Sequence, residues 1–184
     1  MQNSLHLMPL VWNNSLVPRR QNELKVSNID WPNWQPDEVA TLMFVIKDGE
    51  VLLIRKKRGL GAGKINGPGG RLEKNETPEQ CAIRETNEEL VINPLEIRSA
   101  GELFFHAEDM PSIHGHIFVA NDYEGTPTET DEAVPVWFDL EEIPFEEMWE
   151  DDQYWLRQIL NGQSVRGYFT FVAEKLLDYE VTFF

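Results

Sequence analysis

The chain has 184 residues, 41% hydrophobic, 11% aromatic and 26% charged, with a formal net charge of -16. This length suits one domain with a real core and a modest appendage. The acidic balance argues against a nucleic-acid polymer as partner, because phosphate chains seek basic surfaces.

No apolar run reaches the ~18 residues a membrane span needs, and "MQNSLHLMPLVW" lacks the basic start and long apolar core of a secretory signal. No membrane partner is therefore expected. A single cysteine, Cys81, excludes an internal disulfide and suits a cytoplasmic location. Seven of the sixteen basic residues fall between Arg55 and Lys74, enough to hold a small polyphosphate locally.

Residues 1–38 show neither helical nor strand periodicity, and "NIDWPNWQPDE" mixes tryptophan and proline with turn formers. They read as an irregular arm that packs its aromatics on the main domain, or on a partner subunit in a homodimer. A loosely held tail is the plainer alternative. Residues 39–184 form the main domain.

There "ATLMFVIKDGEVLLIRK" places two apolar runs around Asp48-Gly49 and predicts a hairpin. The glycine-rich loop "RGLGAGKINGPGGRLEKNE" follows, matching neither a Walker loop nor a GxGxxG fingerprint. A helix then starts with Thr77 as N-cap, Pro78 in the first turn and Gln80 completing a capping box. Ile83, Thr86 and Leu90 make its expected inward stripe.

Further strands are predicted at Leu95–Phe105, His114–Tyr123 and Val134–Asp139, and a second helix over Asp151–Leu160. "VRGYFTF" and "LLDYEVTFF" close the chain as strands. This order predicts an α+β domain with a mixed central sheet between helices.

The first helix raises a physical question. Glu85, Glu88 and Glu89 lie at i, i+3 and i+4, so three like charges share one side and repel. A hard cation resolves that repulsion: clustered carboxylates coordinate Mg²⁺ or Mn²⁺, and magnesium prefers few carboxylates plus substrate phosphates. An uncommitted carboxylate can take a proton from water. Arg84, one turn before Glu88, can orient it. The plainer reading is a solvated acidic face.

The spacing makes the pattern specific. Gly70, five residues, Glu76, seven residues, Arg84-Glu85, two residues and Glu88-Glu89 resemble the box of the Nudix hydrolases. Six identities at fixed spacing arise by chance in roughly one such chain per hundred thousand. The resemblance implies an α/β/α sandwich, a catalytic set of Arg84, Glu85, Glu88 and Glu89, an Arg84–Glu76 pair, and a metal shell joined by the Gly70 carbonyl. Val91 departs from the family's glycine, so the helix is expected to end differently, running toward Asn93-Pro94.

"KKRGLGAGKINGPGGR", "EGTPTETDEAVPVWFDLEEIPFEEMWEDDQYW" and "GYFTF…LDYEV" further resemble the MutT-like oxidised purine nucleoside triphosphatases acting on 8-oxo-dGTP and 2-hydroxy-dATP. The resemblance implies attack at the β-phosphorus, yielding the monophosphate and pyrophosphate. It assigns Asn66, Asp151 and Asp152 to the base edge and Trp149 to stacking. Thr41, Lys56 and Phe105 become other pocket positions, and Glu132 a loop glutamate near metal and phosphates.

The chemistry is coherent, because an amide offers donor and acceptor, and two adjacent acids resist joint ionisation. Asp151 and Asp152 read alternatively as caps of an acidic helix start. Leu60, Ile65 and Pro68 replace aromatics of the subfamily and leave base preference open. Hydrolysis of another nucleoside diphosphate derivative such as ADP-ribose, or of unmodified nucleotides, is the alternative substrate reading. A non-catalytic nucleotide-binding module is the alternative class. His114 and His116 share a strand face but show no third ligand, and Cys81 reads as a packing residue.

Overall fold

The computed structural model describes residues 24–184. Its strands are β1 (Glu38–Lys47), β2 (Glu50–Lys56), β3 (Ile65–Asn66), β4 (Ile92–Ala107), β5 (Ile113–Gly125), β6 (Ala133–Asp139), β7 (Val165–Val172) and β8 (Lys175–Phe183). The α-helices are α1 (Pro78–Leu90) and α2 (Leu156–Leu160). The strands form one mixed sheet in the order β3-β2-β1-β5-β4-β7-β8, with β6 along the other edge of β2. β1 pairs parallel with β5 and β4 parallel with β7.

The apolar runs of β1 and β2 explain why both sheet faces are covered. Met43, Val45, Leu52 and Ile54 turn to one side, where Ala82 and Leu90 of α1 cover them. Phe44, Val51 and Leu53 turn to the other, against Trp155, Leu156, Ile159 and Leu160. The predicted α+β sandwich is thus the observed architecture. The hairpin turns at Asp48 and Gly49, both at positive φ.

Three local expectations are corrected. Ile83 is only half-buried, and the inward stripe of α1 is Cys81, Ala82, Thr86, Glu89 and Leu90. The helix does not run on toward Asn93-Pro94. Val91 itself takes the left-handed cap, with φ 60 and ψ 33, and its N–H bonds the Asn87 carbonyl at 2.8 Å. The expected helix over Asp151–Leu160 is broken: a 3₁₀ turn spans Asp152–Tyr154, Trp155 leaves helical geometry, and α2 follows.

Residues 1–23 of the expected arm lie outside the described residues. Of the remainder, Trp31 and Trp34 pack beside Phe104, and Trp31 also meets Tyr168, on the α1 side of the sheet. Among the described residues, no helix is long and apolar enough to cross a membrane.

Candidate active site

Thr77 and Gln80 cap α1 reciprocally, at 3.2 and 2.9 Å, which fixes where the helix begins. The preceding glycine loop runs back along β1. Thr41 N–H donates to the Gly70 carbonyl at 2.9 Å, and Met43 N–H donates to Pro68 at 2.9 Å. Gly70 is required at this approach, since a Cβ there would meet the Glu85 carboxyl carbon at 2.4 Å. The loop backbone is thereby pressed against the acidic helix face.

Arg84 organises that face. Its guanidinium grips Glu76 bidentately at 2.8 and 2.9 Å and reaches Glu85 at 2.7 Å and Glu88 at 3.1 Å. The Arg84 hydrogen bonds hold the Glu76 carboxyl down at about 2. Glu89 is 1% exposed, and burial raises its pKa, while Lys56 at 3.3 Å and the Gly69 N–H at 2.9 Å oppose that rise. The three helix glutamates therefore differ: Glu89 is enclosed, Glu85 half-covered and Glu88 exposed. Glu132 faces the same region from its loop, paired with Arg58.

A cavity of about 670 Å³ runs from these groups to the far side of the sheet. It is lined by Gly70, Arg84, Glu85, Glu89, Glu132 and Lys56 at one end. Asn66, Phe105, Trp149, Asp151 and Asp152 line the other, with Thr41 between. Glu88 is not among the lining residues; it leans on Arg84.

At the far end, Trp155 Nε1–H donates to Asp151 at 2.9 Å, and Trp149 N–H donates to Asp152 at 3.0 Å. Burial raises both carboxyls, Asp151 to about 6 and Asp152 well above the ordinary range, with the charge of Asp151 adding to the latter. Neither acid caps the following turn, so the capping interpretation fails. Lys64 Nζ lies 4.9 Å from the Trp149 ring centroid.

Sequence alone gives Trp155 and Arg58 no role, although Trp155 follows Asp151 by four residues within "WEDDQYW". Of the three departures from the subfamily, only Leu60 lines the cavity; Ile65 is core. Burial pushes the Cys81 thiol up to about 11, in keeping with a packing role. Outside the cavity, His114 and His116 do have a third neighbour, Glu102, which sequence spacing could not reveal.

Residues 36–159 match the NUDIX domain. The chain belongs to the NUDIX hydrolase family and is an enzyme. Within that family, it is 43% identical over 141 residues to a zebrafish (Danio rerio) protein named oxidized purine nucleoside triphosphate hydrolase, covering 76% of this chain and 90% of that one. It is 41% identical to the mouse (Mus musculus) protein of the same name, covering 71% and 85%. In fold it resembles a MutT protein from Bacillus halodurans, with a TM-score of 0.71 at 23% identity, covering 78% of this chain and 97% of that one.

Enzymes of this family generally use divalent cations, and the residues here fit one. Glu85, Glu89, Glu132 and the Gly70 carbonyl offer oxygen donors only, and the space beside Glu85 exists because residue 70 has no side chain.

Proposed function

We infer that the enzyme hydrolyses oxidised purine (deoxy)nucleoside triphosphates, such as 8-oxo-dGTP and 2-hydroxy-dATP, to the monophosphate and pyrophosphate, clearing damaged nucleotides from the pool. One observation carries the reading: a single cavity joins an oxygen-donor cluster to a buried aspartate pair, raised toward the protonated form, beside a tryptophan. Mg²⁺ or Mn²⁺ would be held by Gly70, Glu85, Glu88, Glu89 and Glu132. When bound, it neutralises phosphate charge and acidifies water.

The chain's own residues supply the rest. Lys56 and Arg58 place positive charge beside the phosphates. One of Glu85, Glu88, Glu89 or Glu132 takes the proton of the attacking water. Arg84 positions Glu85 and Glu88, and Gly69 N–H fixes Glu89. Trp149 offers a face for the purine, with Phe105 and Thr41 lining the pocket. Asn66 supplies an amide to the base edge. Of the aspartate pair, the protonated member donates to an acceptor on the base and the ionised member accepts from an N–H. Exchange of that proton lets one pocket greet both an oxidised guanine and an oxidised adenine.

Leu60, exposed at the cavity wall where the subfamily carries an aromatic, favours a second reading: the same chemistry on another nucleoside diphosphate derivative. A product-resolved panel in Mg²⁺ separates the two. 8-Oxo-dGTP or 2-hydroxy-dATP should exceed dGTP, dATP and ADP-ribose in kcat/KM and release pyrophosphate. Equal or greater turnover of ADP-ribose would refute the sanitation role.

A further inference from the structure

A second cluster of ligating groups lies on the α1 face of the sheet, away from the cavity residues of β5. Alternation along β5 sends Ile113, Gly115 and Ile117 to the cavity and His114 and His116 to the opposite face, with Phe118 and Ala120. β4 does not keep its own alternation. Its register shifts between Ser99 and Gly101: Ser99 pairs with Phe118, Gly101 with Ile117, and Glu102 with His116. The bulge moves the α1-face positions of β4 from odd to even residues. Without it, Leu103 would leave the core and Glu102 would enter it. Gly101 permits the kink, at φ 124 and with its missing Cβ only 1.8 Å from the Val165 carbonyl oxygen.

The result is an ordered cross-strand layer. His116, Glu102 and Arg166 stand side by side on β5, β4 and β7, and His114, Phe104 and Tyr168 form the next row. Glu102 Oε1 lies 3.4 Å from His114 Nε2 and 3.7 Å from His116 Nδ1. One ligand atom from each residue falls within 4.8 Å of the others. The second oxygen of Glu102 is held by Arg166 at 3.2 Å, which turns Oε1 toward the imidazoles.

Phe104 stacks on the His114 ring at 4.4 Å and 14°, and fixes its plane. His114 Nε2 is buried, yet makes no hydrogen bond among the described residues despite its nearness to Glu102. Ordinary strand histidines would satisfy such an atom.

We propose that Glu102, His114 and His116 form a site for a borderline divalent transition-metal cation of the Zn²⁺ class, separate from the hard-cation site at the phosphates. Two ligands each ~2.1 Å from zinc in a tetrahedral arrangement stand ~3.4 Å apart, close to the two separations seen here. Two imidazoles and one carboxylate select zinc over magnesium, which prefers oxygen alone. Arg166 is the outer partner that orients the carboxylate, and a water completes the fourth position. The bound ion would tie β4 to β5 beside the aromatic layer on which Trp31 and Trp34 rest.

The test uses the full chain with millimolar Mg²⁺ present to occupy the carboxylates of α1. Zn²⁺ is titrated in competition with a chromophoric chelator, for wild type, Glu102→Gln and the His114→Asn/His116→Asn double variant. One equivalent should bind wild type, raise its Tm, and weaken by at least about 100-fold in both variants. X-ray absorption of the zinc-loaded wild type, which needs no variant to fold, should show two imidazole ligands. Absence of zinc uptake under Mg²⁺ would overturn the proposal. So would a zinc environment of carboxylates alone, or uptake that survives the double variant and disappears with Glu85→Gln. None of these outcomes depends on which nucleotide the enzyme hydrolyses.

Discussion

Five carboxylates lie at or beside the two ends of one cavity, and the ends treat them oppositely. On α1, Glu85 and Glu88 share Arg84, and Glu89 meets Lys56, so each has a cation within 3.3 Å. At the far end, Asp151 and Asp152 make no ion pair among the described residues and accept hydrogen bonds from a neutral indole and a backbone amide. One residue class thus serves two chemistries. Paired carboxylates stay ready to surrender their cations for a metal, whereas the buried, unpaired pair resists full ionisation and can share a proton with which to recognise a base. Composition records only the total acidity; partners decide what it does.

The largest effect should come from breaking the phosphate end. Glu85→Gln keeps the shape but loses a charge from the cation site, and kcat should fall by about 1000-fold, with folding by circular dichroism nearly intact. A fall of less than tenfold would remove Glu85 from the chemistry.

The base end is sharpened by pH. Asp151 is raised from its ordinary 3.8 to about 6, so the folded chain binds this proton more tightly than the unfolded chain does. The resulting stability is complete below about 4 and lost as pH rises through 6, corresponding to roughly 3 kcal/mol. Asp151→Asn, which still accepts from Trp155, should flatten that decline. Tm measured from pH 4 to 8 for both proteins checks it; parallel curves would mean that folding does not raise the Asp151 carboxyl.

The smallest effect lies outside both ends. Val91 holds a left-handed conformation that costs a β-branched residue roughly 1–2 kcal/mol, partly offset by the flexibility glycine adds to the unfolded chain. Val91→Gly should therefore raise stability to urea by about 1 kcal/mol and leave kcat and base discrimination unchanged. A loss of stability would show that Val91 earns its place through contacts.

How much of this was legible follows the range of the interactions. The α1 boundaries were readable because Thr77, Pro78 and Gln80 act within one turn, and the hairpin because Asp48-Gly49 is local. The helix end is not legible at Val91, because the left-handed cap geometry prevails there over a β-branched residue's own preference. The break at Trp155 is hidden because its ring is held by side-chain contacts that periodicity does not show: the Asp151 carboxyl four residues back and, edge-on at 5.8 Å, the distant Phe44. The graded exposure of the α1 glutamates depends on the glycine loop pressed against Glu85. The company of Glu102 depends on a bulge, which shifts every later residue of β4 to the other face and leaves no periodic trace.

The separation of the two ends is tested most directly by Asp152→Asn, assayed on 8-oxo-dGTP and dGTP in ¹⁸O-labelled water with Mg²⁺. The label should enter pyrophosphate in wild type and variant alike, kcat should stay within a few-fold, and the preference for the oxidised base should collapse. A variant that loses kcat while keeping its preference, or label appearing in the monophosphate, would contradict the account.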